Sequence, residues 1–147
     1  MQSVVESACS YASGLARDRR AYFNPRARAA AAARMAERLA QEVALFPLVT
    51  QRRVLLAVAA EFGLDVDRLV GPRRFEELTQ SRCAFALIAR RRLRASFPRI
   101  GRTLRRDHSC ASGAWEKASA LESTDPAFAA RVARIEAQIW PSTKAIN

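Results

Sequence analysis

Apolar residues recur along this chain at steps of three and four, and no stretch sustains the alternation that a half-buried strand needs. Helices are therefore the elements that can bury them. From Ala27 to Phe46 the run ARAAAAARMAERLAQEVALF is strongly helix-forming and places Ala32, Met35, Leu39, Val43 and Phe46 on one face. Pro25 can start that helix and Pro47 ends it. Thr50 is suited to cap a second helix, with Val54, Val58 and Phe62 as its inner row until Gly63 stops it. The segment DVDRLV then makes one short helical turn with Leu69 and Val70 facing in, and GPRRF reads as a loop. A long helix is expected from about Thr79 to Arg94, with Cys83, Ala84, Leu87 and Ile88 inward and arginines outward.

The next stretch carries the most information. SFPRIGRTL makes a short helix capped by Ser96, with Pro98 in its first turn and Ile100 and Leu104 buried. RRD is a tight turn, and Asp107 caps a helix from His108 to about Leu121 whose inner face is Ala111, Ala114, Trp115 and Ala118. Two short helices joined in this way form the pattern of a helix-turn-helix. A last helix opens at Asp125 and Pro126, packs Phe128, Val132, Ile135 and Ile139, and closes at Pro141. The expected fold class is all-α, a helical bundle containing a helix-turn-helix, with an extra N-terminal helix.

A length of 147 residues suits one core, and the balance of 25 Lys and Arg against 14 Asp and Glu leaves the chain at +11. That charge is concentrated: residues 52–117 hold fifteen of the basic residues and seven acids. Nearly all the cations are Arg, whose planar fork suits phosphate and guanine better than a point charge does. The three cysteines, Cys9, Cys83 and Cys110, have no zinc or disulfide spacing and fit a reducing cytoplasm, and no apolar run approaches a membrane span.

The sequence PRIGRTLRRDHSC sets Asp107 and the chain's single histidine, His108, directly behind Arg102, Arg105 and Arg106. An acid, an imidazole and a hydroxyl in a row serve catalysis, metal binding or the reading of base edges. A metal site needs further ligands beyond His108 and Cys110, and nothing nearby has the spacing. Acid–base catalysis needs a nucleophile and an anion-stabilising pocket, for which one histidine and no Gly-rich loop offer little. In a helix-turn-helix, Asp107, His108 and Ser109 occupy the positions that meet base edges, with flanking arginines supplying attraction to phosphate. The alternative is that Asp107 only caps the helix and His108 is an exposed first-turn residue. The run ARRRLR suits a solvated helix face, whereas GPRRF, Arg82, Arg90 and RTLRR lie toward one side and read, by preference, as a phosphate-tracking stripe.

From about Val54 to Ile139 the chain resembles the C-terminal DNA-binding domain of the bacterial replication initiator DnaA. FPRIGRTLRRDHS is similar to that family's signature, in which Ile-Gly is followed by a short spacer and Arg-Asp-His-Ser/Thr, and VAAEFGLDVDRLVGPRR keeps the family's layout upstream. The resemblance implies a helical domain that binds short duplex boxes of the replication-origin type. It implies that Arg74 enters the minor groove, that Arg106, Asp107, His108 and Ser109 read the major groove with Cys110 beside them, and that Arg82 and Arg90 lie near phosphate. Arg73 and Arg105 join that set of DNA-binding residues as neighbouring cations. The spacer before Arg106 is one residue shorter than the family's, Arg105 stands where Gly is usual, Glu76 and Glu77 bring acid into a basic loop, and Arg92 stands at a usually apolar position.

No Gly-x-x-x-x-Gly-Lys-Ser/Thr phosphate loop occurs in the sequence, so the expectation is a DNA-binding protein without ATP hydrolysis, not an enzyme, with no cofactor and no metal. The expected division is an arm and Ala-rich helix at 1–49, the helix-turn-helix domain at 50–141 and a tail at 142–147. The partner is double-stranded DNA, with no membrane; the stripe of Met35, Leu39, Val43 and Phe46 reads first as a structural face docked on the rest of the domain, with a protein partner or a second copy as the alternative. The expected role is regulation of replication initiation or transcription in the cytoplasm, at the nucleoid. The alternative is an interaction module that keeps the fold and binds DNA without regard to sequence.

Overall fold

A computed structural model describes residues 23–141, which form seven helices and no strand among the described residues. The expected arm before Asn24 and the tail at 142–147 fall outside them, apart from Phe23. Helix α1 (Pro25–Leu45) starts at Pro25, and the Asn24 side chain accepts from the amides of Arg26 and Ala27. Helix α2 (Gln51–Phe62) is capped by the Thr50 hydroxyl, which accepts from Arg53 N at 3.2 Å. It ends at Gly63, whose φ of 65° is left-handed backbone that glycine adopts without a Cβ clash.

The short α3 (Val66–Leu69) leads through the Gly71–Phe75 loop into α4 (Glu76–Arg92). Helix α4 starts three residues earlier than the apolar period suggests, with Glu76 and Glu77 in its first turn, where acids favour the positive end of the helix dipole. Helices α2 and α4 are buried on nearly every face, from Arg53 to Ala59 in the first and from Ser81 to Ala89 in the second. The others wrap around this pair. Helices α5 (Phe97–Leu104) and α6 (His108–Thr124) form the helix-turn-helix, and α7 (Pro126–Ile139) closes the bundle with Phe128, Val132 and Ile135. Asp125 ends α6 and caps α7, accepting from Ala127 N at 3.0 Å.

The inner stripe of α1 differs from the expected one. Ala31, Met35, Leu39 and Glu42 are buried at steps of four, four and three, and Met35 and Leu39 join the same core as α2 and α4. Val43 and Phe46 are half exposed. Glu42 can take the inner place because Arg52 lies 3.3 Å from its carboxylate and the Thr50 hydroxyl donates to it. Val43, about 100° further round the helix, then points away. Met35 and Leu39 therefore dock inside the molecule, as the structural reading of the stripe has it, and are not available to an external partner.

The run ARRRLR also departs from expectation. Arg91 binds Glu122 at 2.8 Å and Glu136 at 2.7 Å, which ties α4 to α6 and α7. Arg92 lies 4.5 Å from the ring centroid of Trp140. These two cations join helices, in place of the solvated face that the run suggests.

Candidate nucleic-acid interface

The Ser96 hydroxyl accepts from Arg99 N, and Pro98 sits in the first turn of α5, so this short helix has both start signals that its sequence carries. Its end is abrupt. Arg106 N donates to Gly101 O at 2.8 Å, Arg105 N donates to Arg102 O, and Arg105 adopts φ 55°. That turn folds back onto α5 because Gly101 has no side chain: a Cβ there would lie 2.6 Å from Arg106 O and 2.9 Å from Asp107 O.

Left-handed backbone costs an L-residue with a Cβ about 1–2 kcal/mol, part of which glycine returns as lost chain entropy on folding. Arg105→Gly is therefore expected to raise the melting temperature by about 2–4 °C, readable by circular dichroism. An unchanged or lower value would mean that the Arg105 side chain holds the turn.

Asp107 opens α6. Its Oδ1 accepts from Cys110 N at 2.9 Å and from the Ser109 hydroxyl at 2.8 Å. The Cys110 amide first, then the Ser109 hydroxyl, the Cys110 thiol and the nearby His108, lower the Asp107 pKa from 3.8 to about 2. The folded state thus holds this proton less tightly than the unfolded chain. The cap's contribution is complete above about pH 4 and is lost as pH falls towards 2. Amide exchange in the first turn of α6 should accelerate over that window in the parent, while Asp107→Asn should show no such step. A step of equal size in both proteins would assign it to another carboxylate.

His108, Ser109 and Cys110 are exposed on this capped first turn. Beside it lies the Gly71–Phe75 loop, which two guanidinium groups hold by its carbonyls. Arg82 is 7% exposed and donates to Leu69 O at 2.7 Å, Arg73 O at 2.7 Å and Gly71 O at 2.8 Å. Arg106, from the helix-turn-helix turn, donates to the same Gly71 carbonyl at 2.5 Å and more weakly to Val70 O. The edge of Phe23 meets Phe75 at 5.7 Å and braces the far end of the loop against the start of α1.

Loop and helix border one open groove of about 260 Å³, lined by Arg74, Arg106, Cys110 and Lys117 over a floor that includes Cys83 and Leu104. Burial raises the Cys83 thiol pKa to about 11, so it is an inert part of that floor at neutral pH.

Of the expected site residues, Arg74, Arg106 and Cys110 line this groove, Asp107, His108 and Ser109 are exposed on the turn that leads to Cys110, and Arg73 and Arg105 are exposed outside the lining. In place of the expected phosphate contact, the Arg82 fork is engaged with three backbone carbonyls beneath the loop. The structure gives Arg106 a second partner set in the loop. Arg90 is at the other end of α4, donating to Ala95 O at 3.1 Å and lying 4.4 Å from the Phe97 ring centroid, so it braces the entry to α5. Lys117 was not singled out from the sequence, although Cys110, Gly113 or Ala114, and Lys117 share one helical face.

Among the described residues no group of three or more His, Cys, Asp or Glu is placed to hold a metal, and no helix is long and apolar enough to cross a membrane. Residues 52–118 match the family model described as the bacterial dnaA protein helix-turn-helix. No curated protein matches the chain.

Proposed function

We propose, from the match of residues 52–118 to the bacterial dnaA helix-turn-helix family, that this protein reads the sequence of duplex DNA and regulates replication initiation or transcription without hydrolysing ATP. One observation carries the reading. The exposed first turn of α6 and the Arg73–Arg74 loop border a single groove, and Arg106 ties one to the other through the Gly71 carbonyl. On this reading α6 enters the major groove, where His108, Ser109 and Cys110 meet base edges, and the Asp107 carboxylate discriminates while it caps. Arg74 lies in the adjoining minor groove, and Arg73, Arg105 and Lys117 face phosphates. Arg106 sets the distance between loop and helix, and Arg90 stiffens the corner before α5.

The test is a fluorescence-anisotropy titration of an initiator-type duplex box and a scrambled duplex at two salt concentrations. His108→Ala should lose about 1–3 kcal/mol on the box, the size of one good base contact, and nothing on the scrambled duplex. Equal losses on both duplexes, or equal binding of both by the parent, would leave only phosphate attraction and remove the sequence-reading claim.

A further inference from the structure

A second surface shares no lining residue with the Arg74–Cys110 groove, and its chemistry is different. Val43, Leu45, Phe46 and Leu48 are the large hydrophobic residues that the described structure leaves exposed, at 52%, 73%, 50% and 78%. They fall within six consecutive positions, at the end of α1 and in the link to α2. Scattered apolar residues on a surface need no explanation, but a cluster of this kind does.

The link that presents them is fastened. The Arg53 side chain, buried beneath it, donates to Phe46 O. Glu42 is held by Arg52 and by the Thr50 hydroxyl. A partner therefore meets a preformed surface, which lowers the ordering cost of binding.

Leu48 also forms one edge of an open groove of about 640 Å³ between this link and the helix-turn-helix. Its walls carry Leu48, Val49 and Leu93 together with the guanidinium groups of Arg99 and Arg102 and with Arg52, which is paired to Glu42 at 3.3 Å, and no acid lines it. The Thr103 hydroxyl donates to Gln51 Oε1 at 2.8 Å and pins α5 to α2 across its floor.

Three occupants are conceivable, and charge separates them. Duplex DNA would engage the three arginines and leave the four apolar side chains in water. A second copy meeting this face about a two-fold axis would bring two acid-free, arginine-bearing patches together, on a chain already at +11. A segment of another protein with carboxylates along one edge and apolar side chains along the other satisfies both halves of the surface.

We infer that this face docks an acidic, apolar segment of a partner protein while the Arg74–Cys110 groove stays free, which makes the molecule an adaptor between DNA and that partner. The docking claim does not rest on the DNA reading, because no residue is shared.

The probe is a fluorescein-labelled synthetic helix with Leu at one-face spacing and Glu between, titrated into the full chain by anisotropy. One control carries Lys for Glu and another Ser for Leu. The parent should bind the acidic apolar peptide and neither control. Leu48→Ser, and separately the pair Arg99→Glu with Arg102→Glu, should each weaken binding by about tenfold or more, the loss of one well-placed contact. His108→Ala should leave it unchanged. Circular dichroism melts matching the parent show that the variants fold.

No binding, or equal binding of the Ser control, overturns the proposal. Displacement of the peptide by duplex DNA would give the arginines to nucleic acid. A dimer in sedimentation equilibrium that Leu48→Ser dissolves would give the face to a second copy.

Discussion

Arg82→Ala is expected to lower the unfolding free energy by about 3–5 kcal/mol, because it strips the donors from three backbone carbonyls at once, that of Leu69 at the end of α3 and those of Gly71 and Arg73 in the loop. Three charge-assisted bonds at about 1.5–3 kcal/mol each would sum to more, but part of the loop can regain water when it loosens. Arg82→Lys should recover only a fraction, since a single ammonium cannot point along the three directions that the guanidinium fork reaches. Urea unfolding of the three proteins measures the loss directly. The contrary outcome is specific: normal stability with a salt slope of DNA binding reduced by about 0.9 would restore Arg82 to the phosphate contact that its place in the sequence suggests.

Gly101→Ala should also be damaging, to a smaller extent. The atoms its Cβ would meet, Arg106 O at 2.6 Å and Asp107 O at 2.9 Å, are backbone and cannot turn aside as a flexible side chain would. Either α5 and α6 move apart or the Arg106 N to Gly101 O bond opens. The expected cost is about 1–3 kcal/mol, with loss of discrimination between the box and the scrambled duplex. Gly113→Ala is the matched control on α6, since a Cβ there meets nothing within 4 Å. It should be stabilising by about 0.5–1 kcal/mol, as alanine is over glycine inside a helix. If both alanine variants melt like the parent, the close approach at Gly101 does not constrain the turn.

Legibility of the fold tracked the range of the interaction involved. The caps at Thr50, Ser96, Asp107 and Asp125 were readable because each side chain bonds an amide two or three residues ahead. The stop at Gly63 was readable because a single backbone conformation decides it. The face of α1 was half readable. Met35 and Leu39 obey the apolar period, but the choice between Glu42 and Val43 for the next inner place depends on Arg52 and Thr50 across the link. The earlier start of α4 was missed because Glu76 and Glu77 break the apolar pattern while stabilising a helix N-terminus.

By itself the sequence determined the seven helices of the described residues, the tight turn before Asp107, and the exposure of His108, Ser109 and Cys110 on a capped first turn. Hydrophobic period and capping act within one or two turns of chain, so they are written in adjacent residues. Tertiary structure alone decided what each arginine does. Arg106 reaches a carbonyl 35 residues away, and Arg91 a carboxylate 45 residues away. Arg82 is drawn beneath the loop while Arg73 and Arg74 stay on its outer side. A guanidinium carries the same charge and the same fork at every position, and only the groups that folding brings within about 3 Å determine whether it binds backbone, acid or solvent.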